Sequence, residues 1–232
     1  MNFVQEQFRD LFVNMRADLC KMKETRAFIE AGMPGAMSYD DYYGLMERLN
    51  EEQKTTGEDQ SEIMVNFTQL NYHRMKRLNK TIQLNQDLID QVRKIDQPLT
   101  WLVLTEAWCG DVAQNIPLIN TMADLNSNID LRFILRDEHP SIMDEHLTNG
   151  GKSIPKLIVV DEDLKLLLDW GPRPEPVQDM VMQYRQMPEP KQPYIEFLMD
   201  VQKWYLKDRT QSFQHEFTAL LKQVNISMLE SK

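Results

Sequence analysis

The stretch Leu99-Thr100-Trp101-Leu102-Val103-Leu104-Thr105-Glu106-Ala107-Trp108-Cys109-Gly110-Asp111-Val112 joins two patterns back to back. Leu99 to Thr105 is a mostly apolar run of strand length, and from Val112 the apolar positions recur at helical spacing. Cys109 therefore falls where a strand ends and a helix begins. Backbone N–H groups with no intrahelical acceptor converge on such a position, and the helix dipole adds partial positive charge. Both favour thiolate over thiol and predict a pKa below the free value of ~8.5. Asp111 acts in the opposite direction, because a nearby carboxylate disfavours a second negative charge. Residue order alone does not rank the two effects. A lone cysteine beside a tryptophan also fits a plainer role, that of a small buried hydrophobe.

Working outward, Ile129–Leu135 and Lys156–Val160 are further short apolar runs, and Leu164–Trp170 is another, set off by the turn at Asp161-Glu162-Asp163. Helical patterns over about 112–126 and 141–147 fall between the first three. Strands alternating with helices imply parallel pairing, whereas the last two, joined by a tight turn, should form an antiparallel hairpin. Upstream, Phe3, Phe8, Leu11, Phe12, Met15, Leu19 and Met22 mark an amphipathic helix over about 3–31, ended by Gly32-Met33-Pro34-Gly35. Ser38 is the N-cap of a second helix, with Asp40 and Asp41 in its first turn. A polar loop containing Gly57 precedes a long helix from Ile63 to about Lys94. Downstream of Gly171-Pro172-Arg173-Pro174 a helix reaches about Gln186. Met187 to Pro193, with three prolines, is a stiff extended linker. The aromatic-rich tail from Tyr194 is a long amphipathic helix, broken near Asp208.

Lys and Arg number 26 against 36 Asp and Glu, a net charge of −10, which argues against nucleic acid and anionic membrane surfaces as partners. No run approaches the ~18 apolar residues of a membrane helix, and the first residues lack a basic, then apolar, secretion signal. Two cysteines, Cys20 and Cys109, are too few for a disulfide framework, so a cytoplasmic, reducing location is expected. His73, His139, His146 and His215 are scattered without metal-ligand spacing, and neither a metal nor another cofactor is expected. Eight glycines are spread too thinly for a phosphate loop.

Three further features accompany the Trp108-Cys109-Gly110 turn: Pro117, eight residues after the cysteine; Ser153-Ile154-Pro155, entering the third strand after Gly150-Gly151; and the order of strands and helices. Together they resemble the thioredoxin-like superfamily. Glu106-Ala107-Trp108-Cys109-Gly110-Asp111 with Gln114, Arg136-Asp137-Glu138, and Trp170-Gly171-Pro172-Arg173-Pro174 are similar to a bacterial thioredoxin-like group with a Trp-Cys-Gly-Asp motif. The likeness extends weakly upstream through Asn71 to Arg77. It implies an α/β fold, a thioredoxin-like α/β/α core with a mixed central sheet over 96–187. A helical extension over 1–95 precedes that core, and a long C-terminal helical extension over 188–232 follows it. It further implies that Pro155 is the cis-proline facing the active-site sulfur and that Pro117 kinks the active-site helix.

The resemblance makes Cys109 a nucleophile toward a protein or low-molecular-weight disulfide, with Glu106 as a proton-transfer group. Trp108, Gly110, Asp111, Ile154, Pro155 and Arg173 would form the substrate groove, Arg173 supporting a thiolate or binding a ligand carboxylate. Two departures bear on this. Val112 stands where the second cysteine of a Cys-x-x-Cys pair would be, so no intramolecular dithiol cycle can run at this turn; a glutathione-like thiol, a protein thiol or Cys20 would have to resolve a mixed disulfide. The buried carboxylate usual in thioredoxins aligns with Val103. The sequence therefore supports either a monothiol disulfide oxidoreductase or a binding module that keeps the groove without the redox cycle. The apolar helical extensions would be covered by the core or, failing that, in a homodimer.

Overall fold

The computed structural model describes residues 26–27 and 33–230. Apart from residues 26–27, which are helical, the helix expected over 3–31 lies outside the described residues, and so does Cys20, the alternative resolving thiol.

Four strands form one sheet: β1 (Leu99–Thr105), β2 (Ile129–Leu135), β3 (Lys156–Val160) and β4 (Leu166–Trp170), in the order β2-β1-β3-β4. The β1–β2 pair is parallel, in register from Leu99 opposite Ile129 to Thr105 opposite Leu135. The β1–β3 and β3–β4 pairs are antiparallel. This is the mixed thioredoxin-like sheet expected from the sequence. Its two central strands carry near-continuous apolar runs because both faces are covered. At the outer edge of β2, Met37 makes two backbone hydrogen bonds with Phe133, occupying groups that would otherwise be open to another chain.

Helix α1 (Tyr39–Glu52) begins at Ser38, whose hydroxyl accepts from the Asp41 N–H while the Asp41 carboxylate accepts from the Ser38 N–H, the reciprocal arrangement of a capping box. The single helix expected from Ile63 to Lys94 is two: α2 (Glu62–Thr81) and α3 (Gln86–Arg93). The apolar period runs through the break, which explains the expectation. Asn85 starts a new helix by accepting from the Leu88 N–H, and Gln214, distant in sequence, ties both sides of the gap by accepting from the Asn85 N–H and donating to the Gln83 carbonyl. Helix α4 (Gly110–Ala123) follows β1 and contains Pro117; the short α5 (Pro140–Glu145) and α6 (Glu175–Gln186) follow β2 and β4. Strand β4 opens at Leu166, two residues later than expected, because Leu164 adopts a left-handed φ of 61° in the turn.

The tail forms α7 (Tyr194–Asp208) and α8 (Gln211–Glu230), separated at Arg209 and Thr210, both left-handed (φ 51° and 68°). The break lies beside Asp208, where the sequence places it. Helix α8 joins the main core: Phe213 and Phe217 meet the Trp170 ring edge-on at centroid distances of 5.3 and 4.8 Å. The Trp170 indole donates to Glu216 at 2.6 Å. Helices α6 and α7 instead form a small apolar cluster of their own from Val177, Tyr184, Phe197, Val201 and Tyr205.

Phe217 is fully enclosed. Phe217→Ala should therefore cost about 3–5 kcal/mol of unfolding free energy, against within about 0.5 kcal/mol for the exposed Leu229→Ala, read from urea denaturation midpoints.

Candidate functional site

Cys109 is the N-cap of α4, with extended backbone (φ −82°, ψ 120°) and no side-chain capping bond. Its thiol instead donates to the Ile154 carbonyl oxygen at 3.2 Å. The Ile154–Pro155 peptide is cis, and Ile154 and Pro155 are both buried beside the sulfur's acceptor. Strand pairing brings these segments together: β1 and β3 align Leu104 with Lys156, so the loop before β3 ends against the turn after β1. A third segment locks onto the same place. Gly171, with a left-handed φ of 124°, passes so close to the Pro155 carbonyl that a Cβ there would sit 2.1 Å from its oxygen. Only glycine fits, and the contact sets where the following Arg173 lies.

Arg173 grips Asp111: its Nε and Nη2 donate to Asp111 Oδ2 at 2.8 and 2.7 Å, and both side chains are nearly buried. The Tyr205 hydroxyl of α7 donates to Asp111 Oδ1 at 2.7 Å, and Asn115 donates to the Asp111 carbonyl at 2.8 Å and to the Tyr205 oxygen at 3.3 Å. Arg173 is therefore engaged with a carboxylate of its own chain. Burial acts against its charge, but Asp111 outweighs that and raises its pKa. Burial raises the Tyr205 hydroxyl well above its ordinary value, with Asp111 acting in the same direction, so it stays a donor.

The thiol's electrostatics reverse the simple helix-terminus expectation. Burial pushes the Cys109 pKa up to about 12, Asp111 adds to the rise, and the N–H groups of Val112 and Asp111 with Arg173 recover only part. The magnitudes explain the order. A helix N-terminus contributes about 0.3–1 kcal/mol, less than one pKa unit, whereas enclosure of an anion moves a pKa by up to about 3–5 units.

Glu106 is fully buried, and burial raises its pKa, opposed by the Thr56 hydroxyl and the Asp137 N–H. Its Oε1 accepts from the Asp137 N–H at 2.9 Å, and its Oε2 is enclosed without a hydrogen-bond partner. The carboxyl thus faces the loop after β2, and Glu106 reaches Cys109 only through the backbone, where the Cys109 N–H donates to its carbonyl. Trp108 is half-buried under the Arg136 guanidinium, 4.9 Å from its ring centroid. Val112 and Val103 are fully buried in the apolar core.

The groove residues read from sequence converge, but the sequence reading omits the elements laid over them. Gln202 of α7 rests on Gly110, where a Cβ would meet its Nε2 at 2.9 Å, and it accepts from Gln114 at 2.7 Å. Arg74 of α2, hydrogen-bonded to Asn71, approaches the same glycine, and Asn71 holds the Ala107 carbonyl at 2.9 Å. Gln202 and Tyr205 sit three residues apart on one helical face, a spacing visible in the sequence; their target is not.

A four-stranded mixed sheet with a cysteine at the start of the helix after its central strand, facing a cis-proline, defines a thioredoxin-like protein. A family model described as thioredoxin matches residues 57–186, more than half of the chain, and the chain belongs to this family. No curated protein matches it. Among solved structures, a protein of unknown function from Pseudomonas aeruginosa is 17% identical, with a TM-score of 0.49, covering 80% of this chain and 98% of its own. An HIV epitope-scaffold has the same identity and coverage with a TM-score of 0.50, a likeness of fold alone.

With the thiol raised to about 12, alkylation of Cys109 by iodoacetamide should rise about tenfold per pH unit through pH 10, without levelling near neutrality. Mass-resolved labelling of the Cys20→Ser protein reads this; a plateau at or below pH 8 would show an activated thiolate instead.

Proposed function

We propose that the protein is a single-thiol disulfide-exchange protein acting through Cys109. The observation that carries this reading is the thiol's position 3.2 Å from the carbonyl that precedes a cis-proline, at the N-terminus of the helix after the central strand of a thioredoxin-family sheet. Once deprotonated, Cys109 attacks one sulfur of a disulfide; that S–S bond breaks, a bond to Cys109 forms, and the departing thiolate takes up a proton from solvent. With valine at position 112, no second thiol stands at this turn; in this scheme a thiol from solution, having given its proton to solvent, attacks the mixed disulfide, returning Cys109 as thiolate and leaving with the bound sulfur as a new disulfide. Sulfurs, electrons and protons balance, and the net reaction is exchange between an external disulfide and an external thiol. A glutathione-like thiol fits that role. Trp108, Gly110, Ile154 and Pro155 shape the groove for the incoming disulfide. Glu106 has the raised pKa of a proton carrier but faces Asp137, so direct transfer to sulfur forms no part of this scheme.

A second reading, a binding module without redox turnover, is favoured by the thiol's raised pKa and by the buried Val112. The two separate on reaction with oxidised glutathione, run to equilibrium on the Cys20→Ser protein. Exchange predicts one glutathione per chain on Cys109 by mass spectrometry, absent from Cys109→Ser and removed by reduced glutathione. Modification at Cys109 only after unfolding in urea would establish the binding module.

A further inference from the structure

Helix α7 covers the start of α4 in a way unlike the rest of the core. Its apolar face, Phe197, Val201 and Tyr205, packs on Val177 and Tyr184 of α6, in a cluster separate from the main one. Its described contacts with the active-site helix are polar: Gln202 on Gly110 and Gln114, and the Tyr205 hydroxyl on Asp111 and Asn115. Beneath its C-terminal end, between α2, α4 and the α7–α8 junction, lies a cavity of about 510 Å³ lined in part by Leu78, Gln114, Asn115, Leu118 and Tyr205. That junction is Arg209-Thr210, two non-glycine residues held in left-handed backbone (φ 51° and 68°). The other end of the α6–α7 pair is bounded by the proline-containing segment from Met187 to Pro193.

From this arrangement we infer that α6 and α7 form a displaceable cover over the first turn of α4, beside the half-buried Cys109, latched by Tyr205 and Gln202 onto Asp111 and Gln114, and that it narrows the approach to the sulfur. Lifting the cover breaks a few hydrogen bonds whose groups water can satisfy, those of α7 on α4 and that of Gln178 of α6 with Arg173. The movement pivots about the Glu175 N–H bond to Glu216 of α8 and leaves the apolar packing of α6 on α7 intact. It also opens an existing cavity rather than creating a new one. The main core, anchored by α8 on Trp170, does not have to change. An incoming disulfide partner that engages α7 would thus gain access to the sulfur. This regulation rests on the exchange reading for its purpose, though the latch itself is testable by thiol access alone.

Tyr205→Phe keeps the ring in its cluster and removes the hydroxyl from Asp111. If the cover were a fixed part of the fold, that loss would leave the Asp111 carboxylate less neutralised beside Cys109 and slow its reaction. A latch predicts the opposite sign. Alkylation of Cys109 by iodoacetamide at constant pH should quicken about tenfold in Tyr205→Phe, as expected when a charge-assisted hydrogen bond is lost from an open–closed equilibrium, and also in Gln202→Ala. In the unsubstituted protein, amide hydrogen exchange should be faster across α7 than across α4 and α8. Unchanged or slower alkylation in both variants, or α7 exchange as slow as that of α4, would overturn the latch. If the variants alkylate rapidly yet form no glutathione adduct, the latch stands and the exchange reading fails. An adduct with unchanged alkylation rates overturns the latch and leaves the exchange reading standing.

Discussion

One carboxylate ties this site together. Asp111, in the first turn of α4, holds Arg173 from the loop after β4 on one oxygen and Tyr205 from the C-terminal tail on the other. Three segments distant in sequence meet at that group, and each contact is charge-assisted and nearly removed from water, where such bonds are strongest. The same carboxylate lies beside the thiol and opposes its ionisation. Architecture and chemistry are therefore coupled: what holds the tail over α4 also adds to the burial that keeps Cys109 a protonated thiol.

The position of the site follows from backbone close approaches more than from side-chain attraction. Gly171 lies on the Pro155 carbonyl, where a methyl group would collide with backbone, whereas Gly110 lies under the Gln202 side chain, whose amide end would shift to admit one. Behind Pro155, Lys156 and His146, both buried, each reach the Asp169 carboxylate at 2.6 Å. Burial acts to raise Asp169, but these two partners outweigh it and hold the carboxyl below its ordinary value. The cluster joins the end of α5 to β3 and β4 and steadies the loop that presents the Ile154 carbonyl. No described helix is long and apolar enough to cross a membrane, and among the described residues no group of three or more His, Cys, Asp or Glu is placed to hold a metal.

Local signals were legible where one short segment decides the outcome. The Ser38 cap, the strands at Leu99, Ile129 and Lys156, the hairpin into Trp170, and the break beside Asp208 each rest on a nearby residue pattern. The division between α2 and α3 did not, because the apolar period crosses it and Gln214, distant in sequence, completes the join. At the site, the residues gathered around Cys109 were recognisable from the thioredoxin-like motifs. The engagement of Arg173 with Asp111 and the turn of the buried Glu106 carboxyl toward the Asp137 N–H were not, since each depends on a loop whose path is set elsewhere.

By itself the sequence determined a cysteine at a strand-to-helix turn, a valine where a second thiol would stand, and the alternation of elements that builds the mixed sheet. Those are consequences of residue order and periodicity, which act over a few positions. Tertiary structure alone decided that the thiol of the half-buried Cys109 is raised to about 12, and that the chain's own tail packs on the first turn of its helix. Desolvation and side-chain hydrogen bonds between segments decide such properties, and both depend on which surfaces meet after folding rather than on what neighbours what along the chain.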